Sequence, residues 1–120
     1  MRMIEIDYDA QPPVDSYGPG GFRIAGEWYA GSVLIMPEQI EGIETSLEEL
    51  VNGQAAEFAE KIDILLIGMG SDIAPLPKAA REALEAAGLG FEIMSTPSAC
   101  RTYNVLLTED RRIGAALIAV

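Results

Sequence analysis

The sequence predicts an α/β protein with a β-rich first half and at least one parallel strand pair in its second half. In the first half, apolar and polar residues alternate with the period of two that is typical of half-buried strands. In the second half, strand-like runs alternate with helix-like segments, a pattern that favours parallel strands joined through helices. With 120 residues, the chain is expected to form one domain, residues 1–120, with a core of its own.

Strands and turns are expected throughout the first third of the chain. A first strand is predicted over residues 2–8, where three apolar residues alternate with acidic ones: Ile4, Ile6 and Tyr8. Residues 10–21 are rich in proline and glycine and therefore predict an extended loop with tight turns. Two further strands, 22–25 and 28–36, are predicted to form a hairpin-like meander that is joined at Gly26-Glu27 and closed by Pro37.

A helix is predicted to begin after Ser46, which forms a capping-box pattern with Glu49. Its apolar stripe consists of Leu47, Leu50, Val51, Phe58 and Ile62. Asn52-Gly53 interrupts this stripe, and glycine is a poor helix former. We therefore expect a helix that is broken near these two residues.

The next three elements are expected to form a strand, a helix and a parallel strand. Residues 64–67 are a continuous apolar run, which indicates a central strand covered on both faces. Pro77 at the start and Gly88 past the end delimit an amphipathic helix of about three turns. A strand at 91–94 follows, so 64–67 and 91–94 should be adjacent or nearly adjacent parallel strands, with the helix packed on one face.

The chain is expected to finish with one more helix and one more strand. Thr96 is predicted to cap the helix, with Pro97 at its first position. The final strand is predicted over residues 112–118. No repeat or interdomain linker interrupts the pattern.

Charge and composition exclude several classes of function. Eight basic and nineteen acidic residues give a net charge of −11, which opposes binding to nucleic acid or to anionic membranes. The sequence contains no apolar run of the roughly 20 residues that span a bilayer, so no direct membrane insertion is expected. The first residues resemble neither a signal peptide nor a transit peptide, and a cytoplasmic location is expected.

The absence of histidine limits the available chemistry further. Ser-His and Cys-His nucleophilic pairs and His/Cys zinc sites are excluded within one chain, and a single cysteine cannot form an internal disulfide. Neither a metal nor another cofactor is therefore expected. Any catalysis would depend on carboxylates, lysine, tyrosine, the cysteine or a bound cofactor.

Three segments carry a resemblance to a known family. They are Cys100-Arg101-Thr102-Tyr103-Asn104, entered through Thr96-Pro97; Tyr17-Gly18-Pro19-Gly20-Gly21-Phe22; and Leu66-Ile67-Gly68-Met69-Gly70-Ser71. The chain resembles the small family whose mitochondrial branch is NADH dehydrogenase (complex I) assembly factor three and which also has bacterial and archaeal members. The lack of a targeting sequence favours a bacterial version.

The resemblance implies a three-layer single domain in which a central mixed sheet is flanked by helices and by an N-terminal β-meander. It also implies a role in protein assembly, with another protein as the partner, and it supplies no catalytic residues to transfer. The expected binding surface combines the three segments. Its candidate residues are Tyr17, Gly18, Phe22, Gly68, Gly70, Ser71, Cys100, Arg101, Tyr103 and Asn104.

Each chemical feature of this surface also has a structural interpretation. The Gly68-Met69-Gly70 turn lacks the G-x-G-x-x-G spacing of dinucleotide sites, which favours a tight turn that shapes a pocket wall. Arg101 near a helix N-terminus suggests a bound anion, but an ion pair with a nearby carboxylate explains it equally well. Cys100 is either a thiol activated in the first helical turn or a small buried apolar residue.

Two function classes follow from the sequence. In the first, the protein is a non-enzymatic binding or assembly factor. In the second, it binds or converts a small anionic metabolite between the Gly68–Gly70 turn and Arg101. An enclosed polar pocket around Arg101 would favour the second class, and an exposed apolar face the first. The sequence does not determine the oligomeric state.

Overall fold

A computed structural model describes residues 11–120; the strand predicted at residues 2–8 lies outside this range. The described chain contains eight strands and three helices. In chain order they are β1 (Val14–Tyr17), β2 (Gly21–Ile24), β3 (Glu27–Ala30), β4 (Val33–Met36), β5 (Gln39–Gly42), α1 (Leu47–Lys61), β6 (Ile64–Gly68), α2 (Lys78–Ala86), β7 (Gly90–Met94), α3 (Thr96–Thr108) and β8 (Ile113–Leu117).

The strands form two sheets. A small antiparallel sheet has the order β1-β2-β3, and a five-stranded mixed sheet has the order β5-β4-β8-β6-β7. In the larger sheet, β6 is parallel to both β7 and β8, whereas β4 is antiparallel to β5 and β8. The fold is therefore the mixed α/β arrangement that the sequence predicts, with a β-meander in the first half.

Two apolar clusters cover the two faces of the five-stranded sheet. Leu65 and Ile67 of β6 pack in one cluster with buried residues of α1 and α2. Leu66 points to the opposite side, where it clusters with residues of α3 and with Phe22 and Ile24 of the small sheet. This alternation along β6 produces three layers: α1 and α2, the mixed sheet, and α3 together with the small sheet.

The parallel pair predicted in the second half is confirmed. Ile64–Gly68 lies between β7 and β8, and its residues Leu65 to Gly68 are buried. The helix that follows begins after Pro77 and ends before Gly88, whose φ of +73° suits the residue that terminates a helix. Ala80 and Leu84 of this helix are buried against the sheet.

The first half differs from the prediction in three places. The expected loop at 10–21 contains β1, a short strand in which only Val14 is buried. Its sequence therefore lacks the alternation of apolar and polar residues that indicates a strand. The strand expected at 28–36 is two strands, because Gly31 has a φ of +85° and redirects the chain from the small sheet to the large one. The Pro37-Glu38 turn is followed by β5, a strand that the sequence does not predict.

The break expected in α1 is absent. The helix runs through Asn52-Gly53 without interruption, and the Ser46–Glu49 capping box at its start is present. Gly53 costs about 1 kcal/mol relative to alanine in a helix. Burial of Leu50, Val51, Ala55 and Phe58 on one side of α1 outweighs this local preference.

The capping residue of α3 also differs from the prediction. Ser95, not Thr96, is the N-cap, and its hydroxyl accepts a hydrogen bond from the Ser98 backbone N–H. Thr96 is already in the helix, and Pro97 is the second helical residue rather than the first. Among residues 11–120, no helix is both long enough and apolar enough to span a bilayer.

Candidate functional site

Two of the three predicted segments meet through the last residues of the chain. The Gly20 N–H donates to the Val120 carbonyl at 2.6 Å, and the Ile118 N–H donates to the Gly68 carbonyl at 2.9 Å. Gly68 ends β6, so these contacts lie where the parallel strands have their carboxyl ends. The Tyr17–Phe22 loop and the Gly68–Ser71 turn are thus joined at one edge of the sheet, where α/β proteins commonly bind ligands.

Thr96 connects the third segment to this edge. Its buried hydroxyl accepts from the Gly70 N–H at 2.9 Å and donates to the Ile118 carbonyl at 2.7 Å. Its own N–H donates to the Gly70 carbonyl at 2.8 Å. The sequence predicts only a capping role for Thr96; the signal for another role is Ser95, which already supplies a good N-cap.

Gly68 permits the close approach of α3 to β6. A β-carbon at this position would lie 2.9 Å from the Thr96 α-carbon and 3.2 Å from the Ala99 β-carbon. Contacts that short with backbone atoms would force the helix away from the strand. Glycine is therefore required at position 68 for the packing of α3 against β6.

Tyr103 and Asn104 attach the start of the described chain to α3. The buried Tyr103 hydroxyl donates to the Pro12 carbonyl at 2.7 Å. The Asn104 Oδ1 accepts from the Val14 N–H, and its Nδ2 donates to the Val14 carbonyl, both at 2.9 Å. The Asn104 amide therefore pairs with the β1 backbone as a neighbouring strand would, and both side chains have structural partners.

Asn104→Ala is expected to lower the free energy of unfolding by about 1–3 kcal/mol, because it leaves the Val14 N–H and carbonyl without their side-chain partner. Urea unfolding measures the change. Asn52→Ala is the matched control: Asn52 is exposed on α1, and its replacement should leave stability unchanged or slightly higher. Equal stability of Asn104→Ala and wild type would contradict this role.

Cys100 is a buried packing residue in α3. Its side chain is 3% exposed and belongs to the cluster between α3 and the sheet. Burial raises the pKa of the Cys100 thiol from 9.0 to about 11, although the neighbouring Arg101 opposes the shift. A thiol with this pKa is protonated at neutral pH and is a poor nucleophile.

Alkaline pH is expected to destabilise the protein through Cys100 and Tyr103. Burial raises the pKa of the Tyr103 phenol as well, while a hydrogen bond with Gln11 opposes it. Both groups are protonated in the folded protein at pH values where the unfolded chain ionises, so this stability is complete below about pH 9 and falls towards pH 11. Thermal unfolding across this range should show a declining Tm, with a smaller decline for Cys100→Ala. A slope unaffected by this substitution would contradict the assignment.

Only some of the predicted site residues have exposed side chains. Tyr17 at the end of β1 is 39% exposed, and Ser71 and Arg101 are exposed, whereas Phe22 is fully buried in the core. Arg101 lies in the second turn of α3, and its guanidinium lies 3.4 Å from the Ser98 hydroxyl. Tyr17, Ser71 and Arg101 are therefore the predicted site residues that offer side chains to a partner.

The surface clefts of residues 11–120 include an apolar cleft and a cleft with carboxylates in its lining. One has a volume of about 290 Å³ and is apolar, with Ile73, Ala74, Pro75 and Ile93 as its lining. The other, of about 150 Å³, lies around the connection from β5 to α1 and includes Glu41 and Glu44. Arg101 lines neither of them. Within residues 11–120, the cysteine and the carboxylates form no group of three that would hold a metal ion.

Comparison with known sequences identifies relatives along most of the chain. The model of a family described as "Protein of unknown function (DUF498/DUF598)" matches residues 14–118. An uncharacterised protein of Rhodobacter capsulatus is 51% identical over 106 residues, which cover 88% of this chain and 83% of the relative. NADH dehydrogenase (ubiquinone) 1 alpha subcomplex assembly factor 3 of Danio rerio is 33% identical over 98% of this chain and 70% of its own length. The mouse assembly factor is 26% identical, and the match covers 98% of this chain and 66% of that protein.

Solved structures share the fold. A structure described as an outer membrane protein from Bartonella henselae superposes with a TM-score of 0.85 at 38% identity, over 93% of this chain and 98% of the other. A Mth938-like domain of Bordetella pertussis superposes with a TM-score of 0.74 at 25% identity, over 98% of this chain and 92% of that domain. The three-layer arrangement described above is therefore the Mth938-like fold.

Proposed function

This chain belongs to the DUF498 family, and from that membership we propose that it is a non-enzymatic assembly factor that binds another protein during the building of respiratory complex I. The observation that carries the proposal is the similarity to the complex I assembly factors, which extends over 98% of the chain. The similarity includes the loop, the turn and the α3 segment that form the candidate site. The chain spans about two thirds of the length of these animal relatives.

The chemistry of the candidate site supports binding rather than turnover. Cys100 and Tyr103 are buried, with raised pKa values, and the Asn104 amide is engaged by the β1 backbone. The groups that looked reactive in the sequence thus hold the fold together. Arg101 and Tyr17 remain exposed and are suited to contacts with a partner protein.

A small anionic ligand has less support as the object of binding. A metabolite site needs a concave pocket in which a few polar groups converge. The apolar cleft beside Ile93 lacks a charged lining residue, and Arg101 lies outside it. Recovery of a bound metabolite from the purified protein, lost in Arg101→Ala, would favour this alternative.

Complementation in bacteria tests the assembly role. Deletion of the Rhodobacter capsulatus relative should reduce the amount of assembled complex I on native gels, and expression of this chain should restore it. Arg101→Ala should restore less complex I while keeping the wild-type Tm. Arg111→Ala, which removes another exposed arginine, is the matched control. Normal complex I in the deletion strain would contradict the proposal, and a lowered Tm of Arg101→Ala with full restoration would make Arg101 a structural residue.

A further inference from the structure

Among residues 11–120, no strand pairs with the backbone groups along the outer edge of β7. The Gly90 N–H donates to the Asp63 carbonyl at 3.1 Å, and the Met94 carbonyl accepts from the Met69 N–H at 2.8 Å. Backbone groups alternate in direction along a strand. The backbone groups of Gly90, Glu92 and Met94 therefore face β6. The N–H and carbonyl groups of Phe91 and Ile93 therefore face outward. Within residues 11–120, no strand pairs with this side of β7.

The two faces of β7 differ in chemistry. The side chains of Phe91 and Ile93 pack with the cluster of α1 and α2, and Ile93 also lines the apolar cleft of about 290 Å³. Ile73 forms another wall of this cleft and is 65% exposed, the highest value among the large apolar side chains of residues 11–120. Glu92 lies on the opposite face and is exposed. An added strand would meet an apolar surface on one face and a carboxylate on the other.

Charge determines which strand fits. The whole chain carries a net charge of −11, so it attracts a cationic segment and repels a second copy of itself. Asp72, next to Ile73 in the chain, is an exposed carboxylate. The nearby cations have local partners. The Lys78 Nζ lies 3.9 Å from the Glu82 Oε2, and the Arg81 guanidinium lies over the Phe91 ring, 5.7 Å from its centre.

We propose that the outer edge of β7 binds an extended segment of a partner protein in which apolar residues alternate with lysine or arginine. The segment pairs with the outward backbone groups of Phe91 and Ile93. Its apolar side chains enter the cleft beside Ile73, and its basic side chains lie opposite Glu92. This inference rests on the proposed function, because it identifies how the assembly factor holds its protein partner.

Hydrogen exchange of the full chain tests the pairing directly. The probe is a synthetic peptide of about seven residues that alternates lysine with valine. In the free protein, the amides of Phe91 and Ile93 should exchange much faster than those of Glu92 and Met94. Saturating peptide should slow the exchange of Phe91 and Ile93 by about tenfold or more. A peptide with glutamate in place of lysine, or with N-methyl groups on alternate amides along its binding edge, should give no protection.

Other occupants of the edge would give different results. Protection of Phe91 and Ile93 that appears without peptide and grows with protein concentration would mean that a second copy occupies the edge. Protection without peptide that disappears when residues 1–10 are removed would assign the edge to the chain's own N-terminal segment. Either result overturns the proposal, as does an unchanged exchange rate with saturating peptide.

Substitutions at two exposed apolar residues test the β7 site independently of the assembly role. Ile73→Ser should weaken peptide binding about tenfold, because it removes the apolar wall of the cleft. Val105→Ser, on α3 and 56% exposed, is the matched control and should bind as wild type does. In the Rhodobacter deletion strain, restoration of complex I by Ile73→Ser as complete as by wild type would overturn the β7 site alone. Failure of wild type to restore it would overturn the assembly role, whatever the peptide result.

Discussion

Leu66→Ala is expected to lower the free energy of unfolding by about 2–5 kcal/mol. Leu66 is fully buried in β6, between β7 and β8, and packs with Ala99 and Tyr103 of α3. The Leu66 side chain lies between the mixed sheet and the layer of α3 and the small sheet, where the surrounding side chains have little freedom to fill the space that the substitution leaves. Chemical denaturation with matched m-values measures the loss.

Val105→Ala provides the control for this experiment. Val105 is exposed on α3, and alanine is the better helix former, so stability should be unchanged or slightly higher. A loss below about 1 kcal/mol for Leu66→Ala would mean that the layers readjust around the cavity, and the close packing of β6 against α3 would then be wrong.

Thr96→Val is expected to cost about 2–4 kcal/mol, since one buried and one partly buried backbone group lose their partner together. The hydroxyl of Thr96 accepts from the Gly70 N–H and donates to the Ile118 carbonyl, so valine of similar shape leaves both without a hydrogen bond. Thermal unfolding and hydrogen exchange of Gly70 measure the effect. The turn after β6 should open more often in this variant.

Thr96→Ser is the matched variant because it keeps the hydroxyl and removes one methyl group. Its cost should be smaller, about 1 kcal/mol, and the Gly70 amide should remain protected. A Thr96→Val variant that kept the stability of wild type and a protected Gly70 amide would mean that the hydroxyl does not hold the turn, contrary to the hydrogen-bond geometry.

The sequence predicts the second half of the fold well because its signals are strong and local. The apolar run at 64–67 is covered on both faces only if it is a central strand, and Pro77 and Gly88 mark the ends of α2 without ambiguity. The error in α1 arises because local propensity was given more weight than tertiary packing: Gly53 weakens the helix, but burial on the opposite side holds it together.

The first half is harder to predict because its strands depend on partners distant in sequence. Val14–Tyr17 is a strand because β2 pairs with one side of it and the Asn104 amide holds its first residue. Neither contact is visible in the composition of residues 10–21. The same reason limits prediction of the site: the clustering of polar groups indicated where the segments meet, but only the contacts of Tyr103, Asn104 and Thr96 reveal their structural roles.

The position of β8 has a consequence for how the protein is made. This strand lies between β4 and β6, yet it is the last of the described strands to be synthesised. Until β8 emerges from the ribosome, the nascent chain has β4-β5 and β6-β7 as separate pairs with no strand to join them. Before β8 is available, the nascent chain therefore holds two unfinished sheets with open apolar edges, and the closing step, with its large sequence separation, should be slow and should benefit from a chaperone.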